Sequence, residues 1–593
     1  LAVAAAAAVA APFAAFAQAL PDEVRAAGVT LAAWNGVQLQ VRRSAAEKQV
    51  SQQALAAVCA RMGVELVRGH RFDMGRMITL IGGRADELVA LNDKLTLETQ
   101  QNSPAAAGLL KQARAAIDAG DLDQAEQFLK QAGLAARAAV ESAQRQEAEI
   151  TATDAQVKAL QFDYLGAAGV YAEAAQEAPA GDTHDRWIYV SKQADMLEKR
   201  GEQFEEPKAL HDAVSLYRDA ALPLVPRDSN PIDWAKTETS LGVALGVIGE
   251  RGDDAALRDS VTAERAALDA LSRDRSPDDW ASAENALGVE LEMTGYRGDE
   301  ASLHESVAAF RAAMEIRTRD HDPGSWSRTQ TNLANTLLML GERGDDAALR
   351  DAVAAYRTSL TFDTRERNPN YWAVDQAGLG NALYVLGDRG DVAALHEAIA
   401  SYRNALQVWT EDSDPYRWAT AENSLGNVLV SLGERGDIAA LHDAVAAFRA
   451  ALEVRTRDRD PANWALTQNN LGDALTDLGA NGDEAALNDA VAAERAALEV
   501  YTRDGDPAHF GMTQDNLGIT LTALGAHGDL AALNDAVAAF HAALEVRPRD
   551  RMPAKWALVQ ANLGGALVAL GKRGDEAALH DAVAAARGAQ EVF

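Results

Sequence analysis

A single cysteine, Cys59, stands in 593 residues, so no disulfide can form within the chain. Its neighbours in "LAAVCARMG" are apolar and no histidine is close in sequence, which marks a packed thiol rather than a nucleophile. Basic residues are in the minority: 56 Lys and Arg against 88 Asp and Glu leave a formal charge of −32. With no clustered Lys/Arg patch, that field repels phosphate backbones, and no nucleic acid is expected as a partner. A phosphate loop is also missing. "GGALVALGKRGD" around Lys572 has misspaced glycines and no Ser or Thr after the lysine to hold magnesium. No Ser/His/Asp set or carboxylate pair rises out of the sequence, so no enzyme activity and no cofactor are expected. Metal ligands are equally scarce. His70 stands alone, and His304, His396, His442 and His580 share a slot filled elsewhere by Arg258, Arg350, Asn488 and Asn534. Tolerance of Arg and Asn reads as a polar surface row rather than a metal site. What remains is 48% hydrophobic, enough to bury a core.

The chain opens on "LAVAAAAAVAAPFAAFAQALPDE", an apolar run with Pro12 and small residues at Ala15, Ala17 and Ala19. Residues 1–19 read as a secretory signal without its basic start, and the missing initiator Met agrees with a chain that begins partway. An exported protein, periplasmic or extracellular, is the expectation. The segment barely reaches spanning length and its alanines are weakly apolar, so stable membrane insertion is not expected.

Trp234, Trp280, Trp326, Trp372, Trp418, Trp464, Phe510 and Trp556 are each 46 residues apart (280 − 234 = 46, and so on), with a degenerate unit starting near Trp187. A spacing held without a slip is an internal repeat. Each marker sits in Pro-x-x-[Trp/Phe], and the residue before that Pro is Asn230, Ser276, Asp322, Asn368, Asp414, Asp460 or Asp506, with Met552 the exception. A capping residue followed by Pro at the first helical position predicts a helix start. In "WALTQNNLGDALTDLG", Leu471, Leu475 and Leu478 fall on one helical face, and Gly479 predicts the end. "DEAALNDAVAAERAALEV" predicts the second helix of a pair.

Between the two helices lies a triplet, Arg-Gly-Asp, at Arg251, Arg297, Arg343, Arg389, Arg435 and Arg573. An adhesion ligand would need its arginine, yet Asn481 and His527 occupy the same slot while Gly and Asp persist in all eight units. The triplet is therefore punctuation. Gly252 allows a left-handed turn and Asp253 caps the second helix.

These units resemble tetratricopeptide (TPR) repeats. The first half reads Leu425-Gly426-x-x-Leu429, Leu471-Gly472-x-x-Leu475 and Leu563-Gly564-x-x-Leu567. The second half reads Ala352-x-x-x-Tyr356, Ala398-x-x-x-Tyr402, Ala444-x-x-x-Phe448 and Ala536-x-x-x-Phe540, and Ala213-x-x-x-Tyr217 brings in the Trp187 unit. Ala334 replaces the glycine, and Glu264, Glu494 and Ala586 replace the aromatic. The period exceeds the usual ~34 residues and is similar to the lengthened repeats of kinesin light chains and many bacterial TPR arrays. The resemblance implies a mostly α, right-handed α-solenoid whose first helices line a concave surface. Asn332, Asn335, Asn381, Asn423, Asn427, Asn469, Asn470, Asn516 and Asn562 fall on those helices. They can grip an extended peptide's backbone through a paired donor and acceptor, or bond between helices and stabilise the stack. Only Lys236 and Lys555 lie near first-helix starts, so an acidic C-terminal peptide is a poor ligand, and basic or neutral segments suit the charge better. A non-catalytic protein- or peptide-binding scaffold is the leading reading. The alternative is self-assembly, copies stacking end to end through a last unit that no polar capping helix follows.

Ahead of the eight units at 231–593, residues 187–230 form the degenerate repeat and 109–186 hold irregular TPR-like hairpins, marked by "AGDLDQAEQFL" and by Ala167-x-x-x-Tyr171. "TQQNSPAAAG" at 99–108 reads as a linker. Residues 20–98 predict a small α+β domain, with strands in "VTLAAW", "VQLQVRR", "VELVRG" and "MITLIGG" and helices over Ala45–Met62 and "RADELVALNDKLTLE".

Overall fold

The computed structural model describes residues 31–68, 74–136, 142–179 and 181–592. The signal-like segment, "VTLAAW" before Leu31, and His70 lie outside the described residues. The chain divides into two compact units, Leu1–Phe362 and Asp363–Phe593.

Among the described residues, nine helices come first in unit 1: α1 (Leu31–Lys48), α2 (Gln52–Arg68), α3 (Met74–Gln101), α4 (Pro104–Asp118), α5 (Leu122–Ala136), α6 (Ser142–Leu160), α7 (Tyr164–Glu177), α8 (Thr183–Gln203) and α9 (Pro207–Leu216). The last continues into a π turn, Tyr217–Ala221. Three regular pairs follow: α10 (Pro231–Glu250) with α11 (Asp254–Ala270), α12 (Pro277–Tyr296) with α13 (Glu300–Met314), and α14 (Pro323–Glu342) with α15 (Asp346–Ser359). Unit 2 consists of five more: α16 (Pro369–Asp388) with α17 (Val392–Ala405), α18 (Pro415–Gly433) with α19 (Ile438–Val454), and α20 (Pro461–Ala480) with α21 (Glu484–Ala497). The last two are α22 (Pro507–Ala526) with α23 (Leu530–Val546), and α24 (Pro553–Gly571) with α25 (Glu576–Gln590). The fold is a solenoid of paired helices, with no strand among the described residues.

The expected α+β domain is therefore helical. "VQLQVRR" lies in α1, "VELVR" ends α2, and "MITLIGG" is the start of α3. The alternation of Val37, Leu39 and Val41 looked like a strand, but the buried set is Trp34, Val37, Val41 and Ala45, one face of a helix, and Leu39 points to solvent. The single helix expected over Ala45–Met62 is two, broken at Gln49, which takes a φ of 55°. The 99–108 linker shrinks to Asn102 and Ser103, because α3 runs on to Gln101 and Pro104 opens α4. Gly120 turns α4 into α5 with a φ of 76°, and Ala167 and Tyr171 are buried on α7.

In the regular pairs, the turn glycines from Gly252 to Gly574 take φ between 102° and 122°, a region only glycine enters freely. The aspartate that follows, from Asp253 to Asp575, caps every second helix by accepting from its first backbone N–H groups. First-helix starts divide by residue type. Asp322, Asp414, Asp460 and Asp506 accept from the N–H three residues on, whereas Asn230, Ser276, Asn368 and Met552 leave the start to proline alone.

Glycines at two slots let the helices meet in most pairs, Ala334 standing at the first slot in the third. A Cβ on Gly288 would lie 2.6 Å from Phe310, and Gly380, Gly426 and Gly518 face Tyr402, Phe448 and Phe540 in the same way. Near the first helix's end, Gly249, Gly341, Gly433 and Gly479 lie against Leu257, Leu349, Leu441 and Leu487. Gly249 and Gly479 therefore do not end their helices, which run on to Glu250 and Ala480; they make room for a leucine. Each buried aromatic contributes about 1.5–3 kcal/mol of transfer free energy to its pair.

The triplet's arginine has work of its own. Arg251, Arg297 and Arg343 donate to the carbonyls of Gly201, Gly249 and Gly295, in the last turn of the first helix one pair earlier. In unit 2, Arg435 reaches Gly387 O at 3.0 Å and Arg573 reaches Ala526 O at 3.2 Å. At Gly249, Gly295 and Gly387 the arginine adds a second bond to a carbonyl that already accepts from the turn glycine's N–H, and so ties that helix end to the next pair. Asn481 instead turns back to Asp477 O in its own helix.

Candidate functional site

Within each unit the first helices pack directly on one another, α10 on α12 on α14, and α16 on α18 on α20 on α22 on α24, while second helices have no comparable contact among themselves. The first helices thus form the closer-spaced row, as the resemblance implies. The second helices are spanned by exposed ion pairs: Arg265–Glu305 at 2.5 Å and Arg311–Asp351 at 3.4 Å in unit 1, Arg403–Asp443 at 3.6 Å, Arg449–Asp489 at 3.1 Å and Arg495–Asp535 at 3.2 Å in unit 2. A second set of arginines lies over the tryptophan markers. Arg227, Arg273 and Arg319 sit 5.1, 5.3 and 5.7 Å from the rings of Trp234, Trp280 and Trp326. His304, His396, His442 and His580 are exposed on second helices.

The nine asparagines divide by what they touch. Asn335 accepts from Tyr356 Oη at 2.5 Å, and Asn381 accepts from Tyr402 Oη, so both tie a first helix to the second helix of the same pair. In unit 2 a polar seam runs from first helix to first helix. Asn470 Nδ2 donates to Asn423 Oδ1 at 3.3 Å, Asn516 Nδ2 to Asn469 Oδ1 at 3.4 Å and to Asp473 Oδ1 at 2.6 Å, and Asn562 Nδ2 to Asp515 Oδ1 at 3.1 Å. Asn423, Asn469 and Asp515 recur every 46 residues and the donors sit one residue later in the unit, so these three bonds cross 47 positions (470 − 423 = 47), while Asn516 to Asp473 crosses 43. Asn423 and Asn469 are buried acceptors; Asn470, Asn516 and Asn562 are half-buried donors whose Oδ1 accepts no bond among the described residues. Asn427 in unit 2 and Asn332 in unit 1 are half-buried, with side chains that bond to no described residue.

Unit 1 builds its seam from other side chains. Thr329 donates to Asn285 Oδ1 at 2.8 Å, and Thr336 to Glu292 Oε2 at 2.6 Å. Burial pushes the Glu292 carboxyl up to about 7, against the opposing pull of that bond. Lys236, one of two lysines near a first-helix start, pairs with Asp279 at 3.3 Å. Cys59 is fully buried in α2, and burial pushes its thiol up to about 12, which fits a packed side chain. No helix among the described residues is long and apolar enough to cross a membrane.

Two features escaped the sequence. The 46-residue spacing displayed the seam positions, but the 47-residue pairing needs two stacked helices to become visible. The arginines between the pairs recur only in part, in Glu-[Ile/Val]-Arg-[Thr/Pro]-Arg-Asp at Arg317, Arg455 and Arg547, with Asp363, Trp409 and Tyr501 in the same slot elsewhere. Arg455 donates to Thr467 and Thr420 at 2.9 Å each, and Arg547 to Asp515 at 3.3 Å.

No family model matches the chain, and no curated protein matches it in sequence. Solved structures do. The APC/C hetero-tetramer Cut9–Hcn1 is 15% identical, with 91% of this chain and 96% of that chain covered and a TM-score of 0.32. Yeast Tom70 is 12% identical, with 82% and 95% covered and a TM-score of 0.32. The TPR domain of P58(IPK) is 13% identical, with 72% and 99% covered and a TM-score of 0.21. The repeat contacts described above, rather than these superpositions, carry the TPR-like fold.

Proposed function

We propose that the chain is a non-catalytic scaffold that binds an extended protein or peptide segment along the first helices of unit 2. One observation carries the reading: Asn427, Asn470, Asn516 and Asn562 lie on consecutive first helices with amide groups left over after the seam is made. An amide carbonyl can accept from a peptide N–H, and an open N–H can donate to its carbonyl. Charge sets the preference. With −32 on the chain, basic or neutral segments are favoured over acidic ones.

Short lysine-rich, neutral and glutamate-rich peptides titrated against the purified chain test this. Lysine-rich or neutral peptides should bind, glutamate-rich ones should not, and Asn427→Ala with Asn562→Ala should weaken binding about tenfold or more, on the order of 1.4 kcal/mol. Binding indifferent to both substitutions in a variant of unchanged melting temperature refutes the reading. Export belongs to the same proposal, on the strength of residues 1–19, and a reporter fused to that segment that stays inside the cell would count against it.

A second reading, end-to-end self-assembly, draws on the last pair. Leu579 and Val583 on α25 are 42% and 51% exposed, whereas their counterparts in the preceding pair, Leu533 and Val537, are buried and partly buried. A further first helix, from more chain or a second copy, would cover them. Light scattering that gives a monomer at all concentrations removes the second-copy version.

A further inference from the structure

The second helices of the regular pairs hold a buried aromatic at one slot: Phe310, Tyr356, Tyr402, Phe448 and Phe540, all under 2% exposed. In two pairs the slot holds a glutamate that is 0% exposed, Glu264 in unit 1 and Glu494 in unit 2. Each lies against the glycine that elsewhere faces the ring. A Cβ on Gly242 would be 2.6 Å from Glu264 Oε1, and one on Gly472 would be 2.6 Å from Glu494 Cγ. Each accepts a single hydrogen bond from a threonine, Thr239 to Glu264 Oε2 at 3.0 Å and Thr520 to Glu494 Oε1 at 2.8 Å. The other oxygen, Glu264 Oε1 or Glu494 Oε2, is buried with no partner in the protein.

The charged groups that face these glutamates are all acidic. Around Glu264 they are Glu238 on α10 and Glu290 on α12. Glu290 is itself buried, accepts from Ser260 at 2.9 Å, and meets Glu250 of α10. Around Glu494 the neighbour is Asp473 on α20, which in turn meets Asp477 on α20 and Glu434 at the end of α18. On their own helices the nearest cations are spoken for on the outer face, Arg265 by Glu305 and Arg495 by Asp535. A buried carboxylate without a cation is strongly disfavoured, and the proton is the only cation this geometry admits.

We propose that the junction of the first and second regular pairs and that of the sixth and seventh are proton-held joints, closed while Glu264 and Glu494 are protonated and loosened when they ionise. Burial, reinforced by the acidic neighbours, raises both carboxyls well above the usual range, and pushes Glu290 and Asp473 up to about 7. The unfolded chain releases these protons near pH 4.3, about the ordinary glutamate value, while the folded joint keeps them. Stability of the joint is therefore fully present below about pH 4, falls as pH rises, and is lost once pH passes the folded pKa values. Phe310, Phe448 and Phe540 fill the same slot with no proton to lose. The device is independent of the peptide-binding reading.

Hydrogen exchange of the full chain between pH 5 and pH 9, expressed as protection relative to intrinsic rates, tests the proposal. Protection in α10–α12 and α20–α22 should fall with pH by up to about tenfold per unit for each proton held, while α19 and α23, the second helices that carry Phe448 and Phe540, should stay level. Glu494→Gln, neutral at every pH, should flatten the profile of α21, where no other raised carboxyl lies, and leave that of α10–α12 unchanged. Should that variant fold poorly, Glu494→Phe restores the ring found in the other pairs and should flatten the same profile. Wild-type protection that shows no pH dependence at the glutamate joints beyond that at the phenylalanine joints overturns the proposal, with no variant needed. So does a slope in α21 that survives both substitutions.

Discussion

Within unit 1, helices α1–α9 and the three regular pairs bury similar side chains but are held by different kinds of contact. The early helices depend on contacts made once. Arg84 of α3, only 3% exposed, lies 4.4 Å from the Phe162 ring, pairs with Glu87 at 2.5 Å and donates to Tyr164 Oη. Tyr164 in turn stacks edge-on with Phe162 and Phe204 at 5.9 and 6.0 Å. Glu98 of α3 accepts from Thr153 of α6 at 2.9 Å, and burial pushes its carboxyl up to about 7. None of these recurs. The pairs repeat one inventory instead: a capping aspartate and a left-handed glycine in every pair, an aromatic against a glycine in four of the eight, and in each pair of unit 1 an arginine on the previous first helix's last carbonyls. A recurring contact can fail in one place while its neighbours persist, because each pair touches only the next. A unique contact has no understudy.

Two substitutions of equal expected size separate these cases. Arg84→Ala strips a buried cation from Glu87 and Tyr164, and Phe310→Ala empties the ring slot against Gly288; each should cost about 3–5 kcal/mol. Their reach should differ. Native-state hydrogen exchange should show protection lost through α3, α6 and α7 for Arg84→Ala, but only in α12, α13 and the helices touching them for Phe310→Ala. Equal spread in both variants would mean that unit 1 unfolds as one block.

The same division explains how much could be read in advance. Pro-x-x-Trp, the Gly-Asp turn and the Leu-Gly step recur, so their physical role shows in the sequence, and the helix pairs fall where they predict. In α1 a single five-residue alternation, Val37 to Val41, outweighed the longer helical face from Trp34 to Ala45, and no second copy was there to arbitrate. The seam stood half in view. Its asparagines recur, but which atoms they hold depends on neighbours 47 residues away. The triplet's arginine was set aside because it varies, yet its carbonyl partners lie about one whole repeat earlier, at separations no local pattern displays. Glu264 and Glu494 were visible as departures from the aromatic; their complete burial follows only from packing against Gly242 and Gly472.

The inventory itself can be ranked. Gly436, with a φ of 102°, precedes the capping Asp437, and a Cβ there would meet no atom within 4 Å. Gly436→Ala therefore isolates backbone strain from crowding, and should cost about 1–2 kcal/mol. Chemical denaturation with an unchanged m-value would register it. Substitution at Gly426, whose added Cβ would press on the buried Phe448 ring, should cost more, so a reversed order would show that the turn rather than the ring slot limits the pair.

The weakest recurring contact is the ladder across the second helices. Arg449 and Asp489 are 57% and 63% exposed at 3.1 Å, where water screens the pair and two long side chains lose freedom to meet. Arg449→Ala should cost less than about 1 kcal/mol, and the difference from wild type should disappear in high salt. Arg435→Ala, which removes the bonds from the next pair to the carbonyls of Gly387 and Asp388, should keep its effect under the same conditions, because those bonds join a side chain to backbone carbonyls rather than pairing two solvated charges. Thermal melts of the two variants at low and high ionic strength make the comparison. If both effects vanish together, the arginine of the triplet is one more surface charge; if only Arg449→Ala recovers, the triplet holds each pair to the one before it.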